Sequence, residues 1–297
     1  MPEPEARPAP PRRQRAIAVR RFAGHRRMLE RLDRRPLRVV QLSDLHVGLV
    51  TPQAVQLAAV ALTNAQAPDL VVLTGDYIAR SLRHLDTLEA LLADIEAPMI
   101  AVLGNHDHWH GAEAVRRTLR RAGVQVLDNA WTLVELDGRR LQVVGLDDDA
   151  TGHADPRAAT RGLRADLPTL GLSHIGELAD ELWDRGVSLV LSGHTHAGHV
   201  MLEEAQHLTL PGLMGHRYVH GLYGCRLGER APGALYVSAG IGASVFGLRL
   251  GERARREIPV FELGLAPGSF EEHHAEQRAL PGRARYRATL QGPSDSG

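Results

Sequence analysis

Three imidazoles, His194, His196 and His199, stand within six residues in "LSGHTHAGH", directly after an apolar run. Comparable groups recur upstream. "SDLH" contributes Asp44 and His46, "TGD" Asp76, "GNHD" Asn105, His106 and Asp107, and "LSH" His174. Carboxylate, amide oxygen and imidazole together suit a divalent cation such as Mn, Fe or Zn rather than calcium. Side chains two residues apart on an extended segment share a face, so Asp44 with His46 and His194 with His196 are expected to converge. Gly193 and Gly198 allow the tight backbone that aims them. Any one of these histidines alone reads as a packed or hydrogen-bonded ring. The set does not, because buried charges without partners are costly.

The elements that must position these groups alternate. An apolar run at Leu37–Leu42 is followed by a helix, capped by Thr51 and opened by Pro52, that reaches about Asn64; "DLVVLTGD" is the next strand. A helix near Asp86–Glu96 then precedes the strand in "PMIAVLGNHD". Strand, helix, strand, helix, strand implies right-handed crossovers and a largely parallel sheet, whose ligands bind beyond the carboxyl ends of the strands. "SDLH", "TGD" and "GNHD" all fall at such ends. Farther on, Asp137 and Gly138 form the turn of a hairpin. "LPTLGLSH" and "VSLVLSGHTH" are strands separated by a helix over Gly176–Arg185, and "GHVML", "GALYVSAG" and "REIPVFELG" add further strand. A second, mixed sheet packed on the first accounts for this half.

The 297 residues are 43% hydrophobic and 24% charged, enough for one large domain or two small ones. A single cysteine, Cys225, excludes an internal disulfide. No apolar run approaches the roughly 20 residues needed to span a bilayer. The paired arginines of "VRRF" precede charged residues rather than an apolar segment, so no cleavable export signal is read and a cytoplasmic location is expected. Charge is balanced overall, 35 against 35, but Met1–Arg38 holds 12 arginines and 4 acids, a net +8. Residues 1–36 are therefore expected to form a disordered basic arm, able to touch the inner face of a membrane. Residues 37–265 form the domain and residues 266–297 a flexible tail.

The order of the polar blocks resembles that of the calcineurin-like metallophosphoesterase family: D-x-H as "DLH", then "GD", "GNHD", "SH" and "GHTH". "GHTHAGH", "HRYVHGLY" and "LYVSAGIG" are further similar to a bacterial branch that includes membrane-associated phosphoesterases and enzymes acting on UDP-diacylglucosamine. This resemblance implies a four-layer α/β/β/α sandwich of two mixed sheets flanked by helices. It implies two divalent metal ions, one held by Asp44, His46, Asp76 and His196, the other by Asp76, Asn105, His174 and His194. Asp76 would bridge them, a hydroxide between the metals would attack the phosphorus, and His106, oriented by Asp107, would assist the leaving group. The protein phosphatase branch places an aspartate three residues after the bridging one; Ala79 stands there instead, which counts against that activity.

Substrate contacts are expected from Arg217, in the glycine-rich "LPGLMGHRYVHGLY", and from His199. "DDDATGHAD" is read as a solvated loop, since carboxylates beside a phosphoester site are electrostatically unhelpful. The substrate expected is a phosphodiester, phosphomonoester or pyrophosphate, small or lipid-linked. Two alternatives are a metal-dependent nuclease holding nucleic acid with its arginine arm, and a non-catalytic metal-binding scaffold. Excess acid outside the arm disfavours nucleic acid as a partner, and retention of Asp76 and His106 disfavours the scaffold.

Overall fold

The computed structural model describes residues 17–32, 35–198, 209–224, 233–242, 254–270 and 276–280. Its inner strands are short apolar runs because both faces of each sheet are covered. The first sheet takes β1 (Ile17–Ala23), β2 (Leu37–Leu42), β3 (Leu70–Thr74), β4 (Met99–Val102), β5 (Val124–Val126) and β12 (Arg256–Leu263), in the order β1-β12-β2-β3-β4-β5. Strands β2 to β5 run parallel, while β12 opposes β2 and runs parallel to β1. The second sheet contains β6 (Ala130–Leu136), β7 (Arg139–Gly145), β8 (Thr169–Leu172), β9 (Leu189–Ser192), β10 (Gly221–Gly224) and β11 (Ala234–Val237), ordered β10-β11-β9-β8-β7-β6. Its edge strands β6 and β10 are antiparallel and the inner four parallel.

Among the described residues, seven α-helices connect these strands: α1 (Met28–Arg31), α2 (Gln53–Ala65), α3 (Leu85–Ala93), α4 (Asn105–Arg121), α5 (Pro156–Ala159), α6 (Ala179–Asp184) and α7 (Leu210–Leu213). The period of two along each strand sorts the core into layers. Val40, Leu42, Val71 and Leu73 meet Ala59 of α2, Leu88 and Leu92 of α3, and Val115 of α4. The alternate residues Val39, Leu70, Val72 and Ile100 pack between the sheets against Val143, Leu170, Leu172 and Leu191. On the far face, Val144, Val190 and Leu235 meet Ala159 of α5 and Leu182 of α6. The result is the expected α/β/β/α sandwich of two mixed sheets. Pro52 rather than Thr51 occupies the N-cap of α2. The "GHVML" segment, like His199 and Cys225, lies outside the described residues.

Two stretches expected to lie outside the domain are built into it. Residues 17–23, assigned to the basic arm, form β1 along β12, because Ile17 and Phe22 add to the core and β12 has an edge to cover. Phe22 lies 4.7 Å from Tyr236 and 5.4 Å from Phe261, ring centre to ring centre. Arg20 is buried and donates from Nε to Glu257 Oε2 at 2.6 Å, and Arg21 reaches Gln66 and Glu262. At the other end, within the expected tail, Gln277 N donates to Leu222 O and Leu280 N to Arg217 O. No helix among the described residues is long and apolar enough to cross a membrane.

Glu257 also accepts from His220 Nε2 (3.1 Å), the Tyr236 hydroxyl (2.9 Å) and Ala239 N (2.9 Å). Burial pushes its carboxyl up, but His220 and Arg20 outweigh that and hold it well below the usual carboxylate range. Arg20→Ala, which leaves this charge short of a buried partner, should lower urea-unfolding stability at pH 7 by about 3 kcal/mol. A loosely attached arm would give no change. Because the folded pKa is depressed, the contribution is complete above the ordinary value of 4.5 and fades as pH falls below it. The deficit of Glu257→Gln relative to wild type should therefore shrink below about pH 4.5.

Candidate metal centre

Both sheets deliver their carboxyl ends to one place. β2, β3 and β4 of the first sheet lead to Asp44 and His46, to Asp76, and to Asn105 and His106; β8 and β9 of the second lead to His174, and to His194 and His196. The convergence does not come from the pleat of an extended segment, as the spacing suggests. β2 stops at Leu42 and β9 at Ser192, and the polar residues beyond them turn left-handed. Asp44, His46, Asp76, His194 and His196 have φ of 52°, 44°, 57°, 73° and 51°. Such backbone is unfavourable for residues with a Cβ and persists where surrounding contacts impose it.

Those contacts are specific. Asp44 N donates to Gly75 O (3.0 Å) and His46 N to Asp76 O (3.0 Å), running the first two turns side by side. Asp107 Oδ2 accepts from Gly104 N and Asp76 N, and its Oδ1 from Tyr77 N, each at 2.9 Å. His194 N donates to Asp44 Oδ1 at 3.1 Å, which ties the second sheet to the first. The sheets are also joined beneath the centre, where Gln41 Nε2 donates to Thr74 Oγ1 (3.0 Å) and Ser192 O (2.8 Å). Two glycines permit the approach. A Cβ at Gly104 would collide with Asp76 and one at Gly193 with Ser43 and Asp44.

The donor atoms gather in two overlapping sets. In the first, ligating atoms of Asp44, His46, Asp76 and His196 all lie within 4.8 Å of one another, and all four residues are buried. His46 Nε2 stands 3.0 Å from His196 Nε2 and 3.5 Å from Asp76 Oδ2, and His196 Nε2 stands 3.5 Å from Asp44 Oδ1. In the second, Asn105 Oδ1 lies 2.9 Å from His194 Nδ1 and 3.1 Å from His174 Nε2, which is 3.4 Å from Asp76 Oδ1. The two oxygens of Asp76 thus face different sets. Ligands about 2.1 Å from a common cation, at octahedral to tetrahedral angles, stand about 3.0 to 3.4 Å apart, so these spacings suit a metal.

The surroundings select the nitrogens that face inward. His174 Nδ1 donates to Thr74 O at 2.7 Å, which leaves Nε2 toward Asp76 and Asn105. Burial depresses His174, but the Asp76 charge outweighs it and raises the ring to about 10. Burial likewise raises Asp76, while His174, His106 and His46 bring it well below the ordinary value. The field that would hold a proton there would also hold a cation.

The residues present fit a cluster of metal ligands, and comparison with known sequences agrees. The profile of a family described as calcineurin-like phosphoesterase matches residues 37–198. The chain belongs to this family. It is 33% identical over 234 residues to the phosphodiesterase YaeI of Escherichia coli, covering 77% of this chain and 82% of that one. It is 31% identical over 232 residues to the metallophosphoesterase YkuE of Bacillus subtilis, covering 76% and 78%. To the UDP-2,3-diacylglucosamine pyrophosphatase LpxG of Chlamydia muridarum it is 29% identical over 259 residues, covering 69% and 78%. This calcineurin-like phosphoesterase is accordingly a metal-dependent hydrolase.

Several expected contacts are corrected. The oxygens of Asp107 are engaged by backbone N–H groups and do not orient His106, whose Nδ1 donates to Ala79 O at 2.8 Å. Burial and the Asp76 charge push the Asp107 carboxyl up to about 7. Arg217 is turned to the Asp180 carboxylate and lies over the Tyr218 ring, so its guanidinium is committed away from a phosphate. The first part of the acidic loop, Asp147–Ala150, is buried rather than solvated, while Gly152, His153 and Asp155 are exposed as expected. Asp147 accepts from His108 (2.7 Å) and Arg116 (2.9 Å), and Asp148 from Thr151 (2.8 Å). Burial raises Asp148, which faces His174 and Asp76, and this reduces the repulsion its charge would create.

His216, given no firm role by sequence, has its ring 5.1 Å from that of His194 and its Nδ1 3.2 Å from Glu177 Oε1. Its position two residues before Tyr218, within the loop that follows the last motif, was the available signal.

Asp107→Ala should free three buried N–H groups and loosen the Asp76 turn. Calorimetric metal affinity is expected to fall about 10- to 100-fold. Asp107→Asn, which keeps one acceptor oxygen, should lose less. If Asp107 acted through His106 instead, turnover would fall at unchanged metal affinity.

Proposed function

We propose that the protein hydrolyses a phosphodiester or pyrophosphate bond with two divalent cations bound at the overlapping donor sets. The observation that carries this reading is the Asp76 carboxylate, with one oxygen 3.5 Å from His46 Nε2 and the other 3.4 Å from His174 Nε2. Asp44, His46, Asp76 and His196 would hold one cation, and Asp76, Asn105, His174 and His194 the other. A bound pair supplies charge neutralisation for the phosphoryl oxygens and acidifies water toward neutrality; Mn, Fe and Zn all suit the donors.

The chain's own residues account for the rest. His106 and His194 are half-buried, whereas the other candidate ligands are buried, so substrate approaches from the side of these two rings. With Nδ1 donated to Ala79 O, His106 can present Nε2 to the departing oxygen and give it a proton. A backbone carbonyl thus takes the place of the aspartate seen in protein phosphatases, which favours a substrate other than a phosphoprotein. YaeI is named as a phosphodiesterase and LpxG as a UDP-2,3-diacylglucosamine pyrophosphatase, which supports a diester or pyrophosphate as the bond cleaved.

Purified protein with added Mn should hydrolyse bis(p-nitrophenyl) phosphate, and chelation should abolish turnover. Toward a diester with an alkoxide leaving group, His106→Ala should keep its metal content and lose about 10²- to 10⁴-fold in kcat. Loss of metal in that variant, or unchanged kcat, would remove His106 from the reaction.

A further inference from the structure

Seven large apolar side chains are exposed among the described residues, and five belong to segments that carry or touch the gathered ligands. They are Leu49 (95% exposed), Leu213 (71%), Met214 (49%), Trp109 (46%) and Leu82 (38%). Leu49 lies three residues beyond His46, in a turn whose Gly48 rests against His84. Trp109 follows His106 on α4, with its ring 5.1 Å from that imidazole, and Leu82 lies against Gly111 of the same helix. Leu213 and Met214 lie at the end of α7, which packs on residues 196–198 and precedes His216, whose ring is 5.1 Å from that of His194. Scattered exposed leucines are ordinary, but a group on segments that meet at one centre marks a binding surface.

The charge beside them indicates what that surface meets. Arg80 and Arg83 flank Leu82 and are exposed, and neither forms an ion pair among the described residues. Arg80 directly follows Ala79, whose carbonyl holds His106. Apolar tips that can enter the acyl boundary, next to arginines level with headgroups, fit an anionic bilayer. The basic arm expected to make such a contact is partly consumed by the fold, with Arg20 buried against Glu257 and Arg21 paired to Glu262.

We infer that the rim formed by Leu49, Leu82, Trp109, Leu213 and Met214, with Arg80 and Arg83, docks on an anionic lipid surface. The centre then faces the headgroup layer, and the bond cleaved is carried by an amphiphile in that layer. What is cleaved rests on the phosphodiesterase reading; the docking does not.

The test is co-sedimentation of the full chain with vesicles of phosphatidylcholine, with and without phosphatidylglycerol. Wild type should bind the anionic vesicles, more weakly as salt rises, and not the neutral ones. Leu49→Ser/Leu213→Ser/Met214→Ser should reduce binding by about tenfold or more. Arg80→Gln and Arg83→Gln should each reduce it about fivefold. These variants should hydrolyse soluble bis(p-nitrophenyl) phosphate like wild type, which also verifies their fold. Quenching of wild-type tryptophan emission by bromolipid, lost in Trp109→Phe, needs no serine variant to fold.

Failure of wild type to bind anionic vesicles would overturn the inference. So would undiminished binding by the apolar triple variant, or binding lost on deleting residues 1–16 and kept in the rim variants. Absent hydrolysis of the soluble diester would instead sink the phosphodiesterase reading and leave the vesicle result standing.

Discussion

A carboxylate buried among imidazoles is the constraint around which the molecule is arranged. Asp76 offers one oxygen to His46, from the first sheet, and the other to His174, from the second. A lone buried charge of this kind is unfavourable, and here it is compensated by rings on both sides and by cations when they bind. Everything nearby serves to keep that carboxylate in register. Asp107 fixes its backbone, Gly104 makes room beside it, and Gln41 ties the two sheets together below. Two sheets that merely packed through Val, Leu and Ile could slide; these polar ties leave one relative position.

The strand ends were legible in the sequence because an apolar run that stops abruptly at Gly, Asp and His is seldom just part of a core. The fold class and the polar blocks followed from that punctuation. What it could not convey was backbone handedness. Five of the gathered side chains reach the centre through left-handed turns; Asp and His adopt such a φ more often than most residues, but their type alone does not say at which positions. The period of an extended strand pointed to the right neighbours for the wrong reason.

Charge was the other source of error, since composition counts charges without knowing their partners. Arg20 reads as one more basic residue in an arm, yet Glu257, 237 positions later, makes it part of the interior. Arg217 reads as a phosphate grip until Asp180 is seen beside it. The acidic loop reads as solvated until His108 and Arg116, projecting from α4, are found against Asp147. In each case the deciding residue is remote in sequence and adjacent in space.

The pairing of β1 with β12 has a consequence for biosynthesis. Ile17 lies opposite Arg256, so β1 must wait for β12, more than 230 residues later, before its hydrogen bonds can form. Closing a loop of that length carries an entropic cost, and such non-local pairing slows folding. Until β12 has been made, Phe22 and Arg20 have no pocket to occupy, and the nascent chain carries an unpaired hydrophobic strand that a chaperone would have to shield.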